Sequence, residues 1–499
     1  MNKVFSLTAF GWGVILIALF FYTDLLLPAV NQNSDYLMTF YTAGELVREG
    51  KVSQLYPPAD AGTFVDTAFD KAAHVVLPLL PARATAEYMY MPAIAVFFVP
   101  LSLLSPSISL LVWQLISLAS LAVCTTLFTS RFSNQDPDSA QQIEKTDGSP
   151  KNFIAGLNEK STDHELAKSS PAPVPPESAK SSPASASAQV PSELTESSAV
   201  LQAETAKSST SKGAHNLTAS AFWLALTLVP LAISIWIGQI SVVFGLLPFM
   251  AGMFFVLRKK DLLGGLIWAL TIIKPQFLVP VLMITTALAI SRRIKPLAGV
   301  IGGIAMFSIL NVAVFSMTVI GQWLTTLKLA ETVYSDLKFG VAQHIATSLP
   351  RAIILLLPVS QHPIAKPIIY TVSAILGGIG LYFCIRVMKS KLADCNKLAI
   401  ATVICIFATP MIVPHVFFYD YTMFIAAGFM VYALKWAPEL GFRLKSLLWL
   451  GWALTNAYAI ILFTNKNFAV PILFVLLMLE LYRRALVCAK LALNDIGSE

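Results

Sequence analysis

The strongest chemical signal in the sequence is a lysine in apolar surroundings, Lys274 in the string IIKPQF. The stretch from Leu262 to Ile290 reads as two short helices meeting at Lys274–Pro275, because proline lacks the N–H that a continuous helix would use there. A helix broken at membrane depth is tolerated only where it packs in protein or lines a water-filled cavity. An ammonium facing such a cavity suits a phosphate. The plainer alternative is a kinked helix whose lysine reaches out to the headgroups.

Asp35, in NQNSDYLMTFYTAGELVREG, follows the first apolar run and precedes an amphipathic interfacial helix expected over Tyr36 to Val47. A carboxylate there can accept a proton from an attacking hydroxyl, but by position alone it suits a helix N-cap as well. Further polar residues embedded in apolar sequence are Gln239 in IGQIS, Gln276 beside Lys274, Gln343, His344 and Arg351 in VAQHIATSLPRAI, and His415, Tyr419 and Asp420 in PMIVPHVFFYDY. Arg351 can grip a phosphate through two N–H groups or snorkel, and His415 can be a packing residue. Gln239, Gln343 and His344 can hydrogen-bond a sugar or close a helix end. Ionisable groups at membrane depth cost about 2.5 to 3.5 kcal/mol each, so as a set they call for a cavity or a partner. With no HExxH, GxSxG or P-loop, the sequence gives no support to metal hydrolysis, serine-hydrolase chemistry or nucleotide binding, and neither metal nor cofactor is expected.

The elements that must carry these residues follow from composition. Among 499 residues 56% are hydrophobic and 13% charged, with a mean hydropathy of +0.69, which excludes a soluble globular enzyme and indicates a polytopic membrane protein. The formal charge of +7 lies in small Lys/Arg clusters between apolar runs, where it reports topology, so no nucleic-acid partner is expected. Five cysteines without a CxxC pair indicate neither a disulfide framework nor a zinc site.

The run from Val4 to Leu27 is too long for a signal-peptide core and lacks a small-residue cleavage site, so it reads as a membrane helix. Further spans are expected near 107–130, 219–237, 240–257, 262–273, 276–290, 297–320, 364–387, 398–413, 419–434, 446–463 and 468–487. The 91–104 piece, with Pro92 and Pro100, is short and reads as re-entrant or interfacial. Lys3 favours a cytoplasmic N-terminus, and the clusters Arg258–Lys259–Lys260, Arg292–Arg293 and Arg483–Arg484 then all face the cytoplasm. Most of the embedded polar residues fall on the opposite, outer face.

The fold class is thus all-α, a polytopic transmembrane protein of about 12 spans plus short re-entrant or interfacial helices. Residues 1–132 form an N-terminal membrane part with a first outer loop at 28–106, and 218–490 form the main bundle ahead of a cytoplasmic tail at 491–499. Between them, 133–217 turns to Ser, Ala, Pro, Lys and Glu with a net charge of −4, a composition expected to give a disordered cytoplasmic insert.

Taken in order, the strings DYLMTFYTAGELVREGKVSQLYPP, EYMYMPAIAVFFVPLSLL, IGQISVVFGLLPF, GGLIWALTIIKPQFLVPVL and TPMIVPHVFFYDYTMF resemble glycosyltransferase family 87 of the GT-C superfamily, over the chain outside 133–217. The resemblance implies a GT-C-like enzyme of the bacterial cytoplasmic membrane. It would transfer a hexose, mannose before others, with inversion from a polyprenyl-phosphate donor to a lipid or glycan acceptor at the periplasmic or outer face. Asp35 matches the first-loop aspartate taken as general base, Lys274 the lysine of an IKP element and Gln239 a GQ element. Arg351 and His415 would help Lys274 hold the donor phosphate. Tyr41, Gln239, Gln276, Gln343, His344, Tyr419 and Asp420 would contact substrate.

The chain departs from the pattern in two places. Leu37 stands where many GT-C enzymes carry a second first-loop acid, and Ala342–Gln343–His344 stands where the family has Asn-Gln-Ser. A secondary transporter or lipid flippase would also carry intramembrane charges and a broken helix. Against it stand the absence of a matching broken helix in the other half and an outer loop of about 60 residues suited to an acceptor. A non-catalytic scaffold or a polysaccharide polymerase is the third reading.

Overall fold

The computed structural model describes residues 3–133, 219–335, 347–433, 438–464 and 469–494, and among these it is helical without a β-strand. The chain divides into two units, Met1–Ser130 with Asn216–Glu499, and Arg131–His215. All of the expected site residues belong to the first.

Five helices are long and apolar enough to cross a membrane: Leu7–Leu26, Pro106–Thr129, Lys295–Val314, His362–Lys389 and Asp394–Ile412. Ala219–Leu226 and Val229–Trp236, bent by 81° just ahead of Pro230, make a sixth if counted as one span. The described helices do not establish the expected count of about twelve. Ser241–Leu257, Asp261–Ile273, Pro275–Ile290 and Phe418–Val431 are apolar but have only 10–17 residues, where a straight crossing needs about 20.

Asp394–Ile412 is the innermost helix, with every residue from Leu398 to Met411 buried. Lys295–Val314 and His362–Lys389 instead expose Ile301, Ile309, Ile364 and Ile368, as helices facing hydrocarbon do. Asp261–Ala269 packs on Lys295–Val314 through glycines: a Cβ at Gly265 would lie 2.1 Å from the Pro296 carbonyl oxygen. Small residues let such backbones touch. Arg293, in the loop after Pro275–Ile290, pairs with Asp261 at 2.6 Å and Asp394 at 3.4 Å, and Asp394 also pairs with Lys259. These charges gather at one end of the two short helices, and Lys274 stands at the other.

The segment after the first helix is more enclosed than an interfacial helix would be. Tyr36–Tyr41 forms a π-helical stretch continued by the α-helix Thr42–Arg48, and Tyr36, Leu37, Phe40, Tyr41 and Leu46 are all buried. Their partners are aromatic: Phe40 and Phe98 lie 4.9 Å apart, Phe98 and Trp113 5.0 Å, and Tyr36 and Trp113 5.7 Å. Within 91–104 the chain makes only the helix Pro92–Phe98 and the 3-10 turn Leu101–Leu103, too short to cross.

Candidate active site

The site begins at a helix end. After Val229–Trp236 the chain turns at Gly238, whose φ of +70° is one that side chains disfavour. The carbonyls released there find donors elsewhere: Trp113 Nε1 to Gly238 O at 2.9 Å, Gln114 Nε2 to Trp236 O at 3.0 Å, and the Tyr36 amide to Ile237 O at 3.0 Å. A Cβ on Gly238 would lie 2.4 Å from that of Tyr36, so glycine alone permits this approach. The turn brings Gln239 to Asp35.

Asp35 occupies the N-cap position before Tyr36–Tyr41, yet its side chain makes no capping bond. Ser34 Oγ accepts the Leu37 amide instead, at 3.4 Å, and the Asp35 carboxylate accepts from Gln239 Nε2. Asp35 is half-buried, and burial raises its pKa even though the Gln239 bond and the nearby Lys274 charge pull it down.

Lys274 lies at the expected break, between the 3-10 turn Leu270–Ile273 and the helix that Pro275 opens. Its Nζ is 3.0 Å from Asp420 Oδ1, donates to Gln239 Oε1 at 3.1 Å, and stands 5.0 Å from the centroid of the Tyr419 ring. Asp420 is oriented by the Phe417 amide, which donates to Oδ2 at 2.9 Å. Gln239 therefore bridges acid and ammonium: its N–H faces Asp35 and its oxygen faces Lys274, and these partners dictate its amide orientation.

Asp35, Gln239, Lys274, Gln276, His415 and Tyr419 line one cavity of about 780 Å³, with Asp420 fully buried behind Lys274. Gln276 Nε2 donates to His415 O at 3.0 Å. Burial and the Arg351 charge push the His415 imidazole down to about 4, which favours its uncharged form at neutral pH. Arg351, in the helix Leu349–Leu356, is 2% exposed and is not among the residues of the cavity wall. Tyr41 is also off the wall: it sits in the aromatic core and donates to Leu104 O at 2.8 Å. Gln343 and His344 lie outside the described residues.

Glu87, Tyr90 and Trp323 also line the cavity and were not anticipated. Glu87 opens the EYMYMP string, but a single glutamate in a polar loop carries no signal of its own. Among the described residues no three His, Cys, Asp or Glu side chains converge as metal ligands do.

A half-buried acid, an ammonium and an amide between them thus meet on one cavity of a helical protein, where they can accept a proton and hold an anionic group. The model of glycosyltransferase family 87 matches residues 197–414, less than half of the chain, and supports membership of that family. The match indicates a membrane glycosyltransferase, which takes a sugar donor and an acceptor. The matched stretch holds Gln239, Lys274, Gln276 and Arg351, and it leaves out Asp35, Tyr419 and Asp420. No curated protein and no solved structure matches the chain.

Proposed function

We propose that the protein transfers a hexose, mannose before others, from a polyprenyl-phosphate donor to a hydroxyl of a lipid or glycan acceptor, with inversion, at the outer face of a bacterial cytoplasmic membrane. The observation that carries this reading is the chain of contacts Asp35–Gln239–Lys274 on the wall of one cavity, with Asp420 paired to Lys274 behind it. The Asp35 carboxylate takes the proton of the acceptor hydroxyl as that oxygen bonds to the anomeric carbon. On the opposite side of the same carbon the bond to the phosphate oxygen breaks, and its electron pair leaves with polyprenyl phosphate.

Lys274 stabilises the charge that gathers on the departing phosphate. An ammonium has three N–H donors. Asp420, Gln239 and Tyr90 stand around the Nζ, and a phosphate oxygen entering from the cavity would take the place of the Tyr90 contact. Gln239 holds base and clamp at a constant separation, which supplies the positioning that in-line transfer needs. A lipid-held donor also accounts for the lack of a nucleotide-binding motif in the sequence.

Membranes containing wild type or Asp35→Asn, at equal protein level, are incubated with polyprenyl-phosphate mannose and a crude lipid acceptor pool. Release of polyprenyl phosphate and formation of mannosylated lipid are followed together. Wild-type transfer that collapses in Asp35→Asn is the expected result. Absence of transfer by the wild type from this and other polyprenyl-phosphate sugars, with substrate movement across sealed vesicles, would replace the reading with a transporter.

A further inference from the structure

The segment after the first helix brings a second carboxyl to the same cavity. Residues 86–89 alternate in facing: Ala86 and Tyr88 are each 1% exposed, whereas Glu87 and Met89 line the cavity. The segment is tied down on both sides of Glu87. The Ala86 amide donates to Asp70 Oδ1 at 2.8 Å, the Tyr88 hydroxyl to Met91 O at 3.0 Å, and Trp323 Nε1 to Met89 O at 3.0 Å. The Tyr88 ring packs against Tyr56, Phe69 and Tyr90. Glu87 is therefore presented by a braced backbone, as a binding group must be to act at a defined distance.

We propose that Glu87 is a substrate-binding residue that holds a hydroxyl of the acceptor sugar, beside the hydroxyl that Asp35 deprotonates. The inference rests on the transferase reading above and adds an acceptor contact to it. The Asp35 carboxylate repels a phosphate, and a second carboxyl on the same cavity suits a neutral polyol, whose hydroxyls both donate and accept. The phosphate belongs beside Lys274, and the ammonium in turn disfavours a metal cation between the two acids. Burial first, then the charges of Asp35 and Asp70, push Glu87 up to about 8, so that at neutral pH it can donate a hydrogen bond as well as accept one. A buried polar contact of this kind discriminates strongly against an acceptor that lacks the matching hydroxyl.

The test uses the full chain in lipid nanodiscs. Octyl α-mannoside, octyl β-galactoside and octyl β-glucoside, radiolabelled, serve as sugar-bearing probes in equilibrium binding. In parallel, transfer from the polyprenyl-phosphate donor is measured against a dilution series of membrane-lipid extract. At least one probe should bind the wild type saturably, Glu87→Ala should weaken it roughly tenfold or more, and the near-isosteric Glu87→Gln should weaken it less. Both variants should raise the half-saturating extract concentration and leave the KM for donor within about twofold of wild type. Equal probe affinity in wild type and Glu87→Ala, no saturable binding by the wild type, or donor and acceptor KM rising together overturns the inference. Glu87-dependent probe binding without any sugar transfer would keep it and overturn the proposed donor chemistry instead.

Discussion

The Lys274 ammonium and the Asp420 carboxylate lie 3.0 Å apart, with side chains 4% and 0% exposed, so each is the other's main compensation for leaving water. Removing one partner strands the other charge. Lys274→Met, which the sequence alone would present as a clean test of phosphate binding, therefore also strikes at stability. Lys274→Met and Asp420→Leu should each destabilise the protein by about 3 to 5 kcal/mol. The double variant should recover most of that loss and remain inactive. Thermal unfolding in nanodiscs alongside turnover checks this, and a double variant no more stable than either single one refutes it.

Gln239 touches both Asp35 and Lys274, so its loss should be felt in the rate more than in the fold. Gln239→Leu should lower kcat by roughly ten- to a hundredfold, because a small misplacement of base against leaving group is costly. Gln239→Glu, which sets a like charge against Asp35, should be worse. Steady-state kinetics decides, and wild-type turnover in Gln239→Leu would remove the bridge from the mechanism.

The pH profile has a defined sign. Asp35 must be ionised to accept a proton, and burial holds its pKa above the ordinary carboxylate range. The kcat/KM should fall as pH drops through that raised value, at higher pH than a solvent-exposed aspartate would give. The Gln239 hydrogen bond favours the ionised form, so Gln239→Leu should move the acid limb to still higher pH. An acid limb that does not move would assign it to another group.

Gly238→Ala should damage the site without touching a polar group. The added methyl meets Tyr36 at 2.4 Å in a backbone of φ +70°. We expect a stability loss of about 1 to 3 kcal/mol and a loss of turnover well beyond it, since Gln239 follows directly. Unchanged turnover at reduced Tm would show that the turn serves the fold alone.

Much of this site was written locally. The break at Lys274–Pro275 was legible because proline's missing N–H acts within one turn, wherever the helix packs. The all-helical membrane class follows from apolar content, which needs no contacts to read. The family resemblance was visible in ordered strings, and the 197–414 match supports it.

What could not be read depends on segments far apart in the chain. Asp35 was equally a helix cap or a base by position, and only Gln239, some two hundred residues away, turned its carboxylate from the helix. Asp420 was a candidate by type, but its pairing with Lys274 comes from the packing of separate helices. Tyr41 joined an aromatic core, and Glu87 lines the cavity while its neighbour Tyr88 packs into that core. Local propensity sets where helices break and which residues are polar. Which polar side chains meet is decided by the burial of the apolar ones beside them, a sum over contacts that no single stretch of sequence contains.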